Sequence, residues 1–206
     1  MRVTDGGRRS TLTGEARRAQ IVAAAIDTIA ELGYRQASFA RIAERAGLSS
    51  TRLISYHFAG KDELMRQVVL AVVGDIGRHV TERLRREPTA AGALRAYIRA
   101  VIGYNADNRP RMAALMEIFL NHRDESGEGS YDAGDDADVL NGVEEILRRG
   151  QRAGEFRAFD TRVMAFAIQR SLDGLPFLLQ AEPGRDIGAY AEELVTTFDL
   201  ATRAEP

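Results

Sequence analysis

SFARIAERAGLSSTRLISYHF, residues 38–58, is the stretch on which the fold turns. Ser38 can cap a helix over Phe39 to Ala46, because a serine oxygen satisfies N–H groups that a first turn leaves free. Gly47 can take the left-handed backbone that ends this helix, and Ser49 can cap a second one reaching about Tyr56. Two short helices joined by a glycine turn make the helix-turn-helix layout, whose second helix enters the DNA major groove. Two short helices joined by glycine also occur for packing reasons alone, so the layout needs support from its side chains.

Working outward, apolar residues recur at three and four spacing in nearly every longer segment, and no Val/Ile/Thr-rich alternating run is bounded by turns. The chain therefore reads as all-α, with about nine helices. The first is expected from Gly14 to Leu32, capped by Thr13, with Ile21, Ala25, Ile29 and Leu32 on one face and Gly33 as its stop. After Gly60, Lys61-Asp62-Glu63-Leu64 opens a long helix to about Arg86, its acids placed where the helix dipole favours them. Further helices are expected over Thr89–Ala106, from Asn108-Arg109-Pro110 to near His122, and over Val139–Arg152, Asp160–Gln180 and Asp186–Arg203. Residues 123–138 carry seven acids and three glycines, which predicts a solvated, mobile loop. Its acids lack the alternate spacing of a calcium-binding hand.

Charge is divided unevenly. Residues 1–66 hold eleven Arg/Lys against seven Asp/Glu, and the remainder holds seventeen against twenty-three, within a net charge of −2. A basic module suits phosphates, whereas an acidic remainder does not require them. The chain has no cysteine, which excludes disulfides, thiolate metal sites and a cysteine nucleophile and points to a reducing compartment. The most apolar stretch, Val163 to Ala181, is broken by Arg170, Asp173 and Pro176, so no membrane partner is expected. Arg8-Arg9-Ser10 lacks the apolar segment an export signal needs, and a cytoplasmic location is expected. His57, His79 and His122 are far apart in sequence, and no Gly-rich phosphate loop, GxSxG elbow or HExxH motif occurs. No enzyme activity, metal or cofactor is expected.

The second short helix has the chemistry of a groove reader. Ser50, Thr51, Arg52 and Ser55 are small or base-competent groups on one side, and Ile54 and Phe58 are apolar anchors for the other. Tyr56, His57 and Lys61 follow at the rim, where hydroxyl, imidazole and ammonium groups suit phosphate oxygens. The alternative is an ordinary surface helix with an aromatic rim.

Ser38 to Ser49, then Tyr56-His57-Phe58, then Gly60-Lys61-Asp62-Glu63-Leu64 together resemble the TetR-type transcriptional repressors, most strongly over residues 15–66. Glu117 to Arg123 and Leu172 to Leu175 give weaker support. The resemblance implies a three-helix DNA-binding head, a helical regulatory body that accepts a small molecule, and a homodimer joined through the last two long helices. It divides the chain into a helix-turn-helix head (13–60) and a ligand-binding and dimerisation body (61–206), ahead of which residues 1–12, with Arg2, Arg8 and Arg9 and no periodicity, read as a disordered basic arm. It marks Arg41, Ser49, Ser50, Thr51, Arg52, Ser55, Tyr56, His57 and Lys61 as DNA-binding candidates.

One departure affects this set. Ten residues separate Gly47 from Phe58, where the family pattern has nine, and one extra residue turns a helix by about 100°. Either Ile54 is the buried anchor, placing Ser55 and Tyr56 at the groove, or Leu53 is, and Arg52 and Tyr56 take over.

In the body, Met112, Met116 and Phe119 lie near polar Tyr104 and Asn105 in the middle helices, with Met164, Ile168 and Phe177 as possible neighbours. Such adaptable apolar side chains suit a ligand cavity, and they equally suit a core. Val163, Ala167, Leu172, Leu175 and Leu178, with Ile187, Ala191, Leu194 and Phe198, give the last helices an apolar face that a two-fold partner would cover. The expected function is a homodimeric repressor of a palindromic operator, released by a small-molecule effector. The alternative is a helical small-molecule- or protein-binding dimer without sequence-specific DNA recognition.

Overall fold

The computed structural model describes residues 6–122 and 133–204, with side chains over 14–122 and 137–204. Ten helices occupy these residues: α1 (Gly6–Leu32), α2 (Phe39–Arg45), α3 (Arg52–His57), α4 (Lys61–Leu84), α5 (Ala90–Asp107), α6 (Arg109–Asn121), α7 (Ala133–Arg152), α8 (Thr161–Asp173), α9 (Leu175–Ala181) and α10 (Ile187–Thr202). Among the described residues the extended pairing is confined to one isolated antiparallel bridge, Phe156 to Arg203. The all-α expectation holds.

Local chemistry sets most of the helix ends. Ser38 caps α2, its Oγ accepting the Arg41 N–H, while Thr89, Asp160 and Asp186 cap α5, α8 and α10 in the same way. After α2, Gly47 adopts φ 63°, the Gly47 N–H donates to Glu44 O, and the Leu48 N–H donates to Ala43 O. These two bonds are the Schellman arrangement, which uses the last carbonyls of a helix and needs a residue that tolerates the left-handed region.

Several boundaries differ from the sequence reading. α1 begins at Gly6 rather than Gly14, since no proline stands in residues 6–32 to stop it, so Thr13 lies within the helix and residues 6–12 of the expected arm are helical. Residues 123–132 of the acidic segment lie outside the described residues, and 133–138 belong to α7. The single helix expected over Asp160–Gln180 is two, because Pro176 has no N–H to donate and is tolerated only in the first turn of a new helix.

The described residues form two compact units. One takes α1 to α3, α4 as far as Val73, and α6 from Pro110; the other takes Gly74 to Arg109 and α7 to α10. In the first unit Ile21, Ala25 and Ile29 of α1 are fully buried, as their spacing predicts, together with Ile42, Ile54, Leu64 and Met65. In the second, α5 supplies Leu94, Ile98 and Ile102 to a core shared with Leu147 of α7, Ile168 and Leu172 of α8, and Val195 and Phe198 of α10. Each such side chain contributes about 1.5–3 kcal/mol on leaving water.

Candidate nucleic-acid interface

The register of α3 decides the site. Ile54 is fully buried and Leu53 is 37% exposed, so Ile54 is the anchor and the opposite side of the helix carries Ser55 and Tyr56 outward. The ten-residue segment is accommodated ahead of the helix. Leu48 to Thr51 remain outside α3, and the Leu53 and Ile54 N–H groups donate to Ser50 O and Thr51 O in tight three-residue steps. The expected cap moves accordingly. Ser50, not Ser49, supplies the oxygen, accepting the Arg52 N–H at 3.1 Å.

Arg41, Ser49, Ser50, Thr51, Arg52 and Ser55 are all exposed, and Tyr56 is 83% exposed. A tyrosine so far out of the core has no folding reason to be there, since its ring is worth more buried. His57 stands half-buried at the end of α3, its ring 5.1 Å from that of Tyr56 in an edge-on contact.

Two side chains of α1 hold this surface in place. Gln20 Nε2 donates to Ala46 O at the end of α2 (2.7 Å), and the Arg18 guanidinium donates to His57 O at the end of α3. Arg18 also lies 4.5 Å from the Phe58 ring centre and pairs with Glu63 at 3.2 Å. Glu63 accepts the Ala59 N–H, and this bond, followed by Arg18, holds its carboxyl below the usual carboxylate range.

Lys61, half-buried at the start of α4, is oriented by Tyr34. Its ammonium lies 4.1 Å from the Tyr34 ring centre and donates to Tyr34 O at 3.2 Å. Burial lowers the Lys61 pKa, with Asp62 acting against it, and burial followed by Asp62 raises that of the Tyr34 hydroxyl. Tyr34 is itself held by α6 and the residue after it. Glu117 Oε2 accepts the Tyr34 N–H at 3.0 Å, and the Tyr34 hydroxyl hydrogen-bonds His122 Nδ1 at 2.6 Å. Nothing local in the sequence marks Arg18, Gln20, Tyr34 or Glu117 as parts of this site, because they act on groups of it between 26 and 88 residues away.

The ligand candidates are divided between the units. Met112, Met116 and Phe119 lie on α6 in the first, Met112 buried and the others half-buried. Tyr104, Asn105, Met164, Ile168 and Phe177 lie in the second, where Tyr104, Asn105 and Ile168 are buried, Met164 is half-buried, and Phe177 is 45% exposed. Asn105 Nδ2 donates to Val101 O, and the Tyr104 ring meets His79 edge-on at 5.3 Å. Among the described residues no group of three or more His, Asp or Glu could hold a metal ion, and no helix is long and apolar enough to cross a membrane.

Residues 21–68 match the family described as bacterial regulatory proteins, tetR family. The HTH-type transcriptional regulator BetI 1 of Chromohalobacter salexigens is 36% identical over 104 residues, half of each chain. The BetI regulator of Burkholderia mallei is 35% identical over 106 residues, so the chain spans about half the length of the curated relatives it matches. Among solved structures, a bacterial regulatory protein in the tetR family from Rhodococcus RHA1 superposes with a TM-score of 0.76 at 20% identity, covering 92% of this chain and 98% of that one. The regulator FadR of Bacillus subtilis, solved with stearoyl-CoA, gives 0.73 at 21% identity over 86% and 95%. The structural matches carry the fold across the body, and the sequence matches carry the head: residues 21–68, which hold Ile42, Gly47, Ile54 and Lys61, form a helix-turn-helix segment of the kind shared by the tetR family of bacterial regulatory proteins.

Proposed function

We propose that this chain is a DNA-binding transcriptional regulator, acting as a homodimeric repressor of a palindromic operator from which a small-molecule effector releases it. The observation that carries this reading is α3: its anchor Ile54 is fully buried, and its outward side offers Arg52, Ser55 and an 83% exposed Tyr56. In the register that Ile54 sets, Ser55 and Tyr56 face the groove with Arg52 exposed beside them, while His57 and Lys61 meet phosphates; Arg41, Ser49, Ser50 and Thr51 border the same face.

The homodimer is supported by α8, where Val163 and Phe166 are 67% and 52% exposed on a helix whose other side is core. Two identical heads on a two-fold axis would read the two halves of a palindrome. The effector is a small molecule, for which Tyr104, Asn105, Met164, Ile168 and Phe177 of the second unit are the candidate contacts. Phe177 is the most exposed member of that set. FadR of Bacillus subtilis, of the same fold, was solved with stearoyl-CoA, which makes acyl thioesters a reasonable first class to screen. No catalysis is assigned, and the cytoplasm is the compartment proposed.

Selection of duplexes from a random DNA pool by the purified chain, at low and high salt, tests the proposal. An enriched palindrome that survives high salt is expected, with a half-site spacing that gives the separation of the heads. Binding that vanishes with salt and enriches nothing would leave a helical ligand- or protein-binding dimer.

A further inference from the structure

Tyr34 sits between the start of α4 and the end of α6. Its ring and carbonyl receive the Lys61 ammonium, while its N–H and hydroxyl are held by Glu117 and His122. Gly33, just before it, has φ 80°, which places the Tyr34 N–H against Glu117, and a Cβ there would stand 3.4 Å from the Glu117 carboxylate. His122 is 4% exposed, with Nε2 3.8 Å from Asp62 Oδ1. Asn121 Nδ2 also donates to Glu117 Oε2 at 3.3 Å, so the oxygen that accepts the Tyr34 N–H is held by its own helix as well.

We propose that Tyr34 is the positioning residue for the phosphate contact of Lys61, and that Glu117 and His122 hold Tyr34, so that the end of α6 controls DNA affinity without touching DNA. This rests on the DNA-binding reading above. The ammonium has three N–H donors, of which Tyr34 O takes one, leaving two for a phosphate. Confinement over an aromatic face removes rotamers that a free lysine would lose on binding, so a pre-placed ammonium binds phosphate at lower entropic cost. Any displacement of the α6 terminus is transmitted to Tyr34 through two hydrogen bonds rather than through a deformable apolar contact.

The test is a double-mutant cycle on the full chain, with affinity for the wild-type selected duplex measured across salt concentrations. Lys61→Ala is expected to weaken binding about tenfold and flatten the salt slope by about 0.9, one phosphate contact. Tyr34→Leu is expected to do the same, and the double variant to lose no more than either, since both remove one contact. Tyr34→Phe keeps the ring and should keep the slope. Glu117→Gln with His122→Asn should weaken binding several-fold in the Lys61 protein and have no effect in Lys61→Ala. Should Tyr34→Leu fail to fold by circular dichroism, the Glu117/His122 pair is read against Lys61→Ala instead. Additive losses, or an unchanged slope in Lys61→Ala, overturn the assignment while leaving DNA binding intact. A wild-type chain that selects no duplex overturns both.

Discussion

α3 and α8 are built alike and finished differently. Each hangs on a fully buried isoleucine, Ile54 in one and Ile168 in the other, and each leaves its far side to solvent. On α3 that side is Arg52, Ser55 and Tyr56; on α8 it is Val163, Phe166 and Ala167. A polar, aromatic and cationic surface retains its hydrogen-bonding capacity in water and suits a wet, charged partner such as DNA. An exposed pair of large apolar side chains suits a second protein surface that excludes water. The same helical scaffold thus carries two chemically different surfaces, and the difference lies in the outward residues.

The strongest way to break this comparison is to remove its common part. Ile54→Ala and Ile168→Ala should each lower stability by about 2–5 kcal/mol, because both empty a filled site. Thermal or denaturant unfolding checks this, and a loss below 1 kcal/mol at either position would show that the anchor is not what holds the helix.

The outward faces separate next. Phe166→Asp should dissociate the dimer in sedimentation while leaving protomer unfolding nearly unchanged, with an effect of about 2 kcal/mol or more if Phe166 is central to the interface. A dimer that persists would place the two-fold contact elsewhere. Arg52→Ala should cost about 1–3 kcal/mol on the selected duplex and relax base preference at one position, whereas Tyr56→Phe should weaken binding to all sequences alike. Equal losses on specific and random DNA for Arg52→Ala would assign it to phosphates.

The smallest expected effect is on acid stability. Glu63 is held below its ordinary pKa by the Ala59 N–H and then by Arg18. Its contribution is therefore present above the unfolded value and is lost as pH falls through the lowered folded value. Melting temperature followed from pH 7 to pH 3 should fall less steeply in Glu63→Gln than in the wild type, and parallel curves would show that Glu63 adds nothing.

Much of the head was legible in sequence because its determinants are local. Ser38 caps within three residues, Gly47 ends α2 with its N–H on Glu44 O and the Leu48 N–H on Ala43 O, and the Ile21, Ala25, Ile29 spacing marks a buried face on its own. The extra residue before Phe58 left two registers open, since a helix can absorb it within a turn or ahead of one. Packing chose, by burying Ile54 and not Leu53. The helices of the body were legible in type but not in number, because Pro176 splits one that apolar periodicity alone would have continued.

By itself the sequence determined the all-helical class, the Ser38 cap of α2 and the Gly47 turn after it, all of which follow from spacings of a few residues. Only the tertiary structure decided which residue of α3 is buried, that Arg18 and Gln20 clasp the ends of α3 and α2, and that Tyr34 joins Lys61 to Glu117 and His122. Those contacts pair residues 26 to 88 positions apart, and no local periodicity encodes them. They arise because burial of the core brings distant polar groups together, where each must find a partner or bear the cost of desolvation.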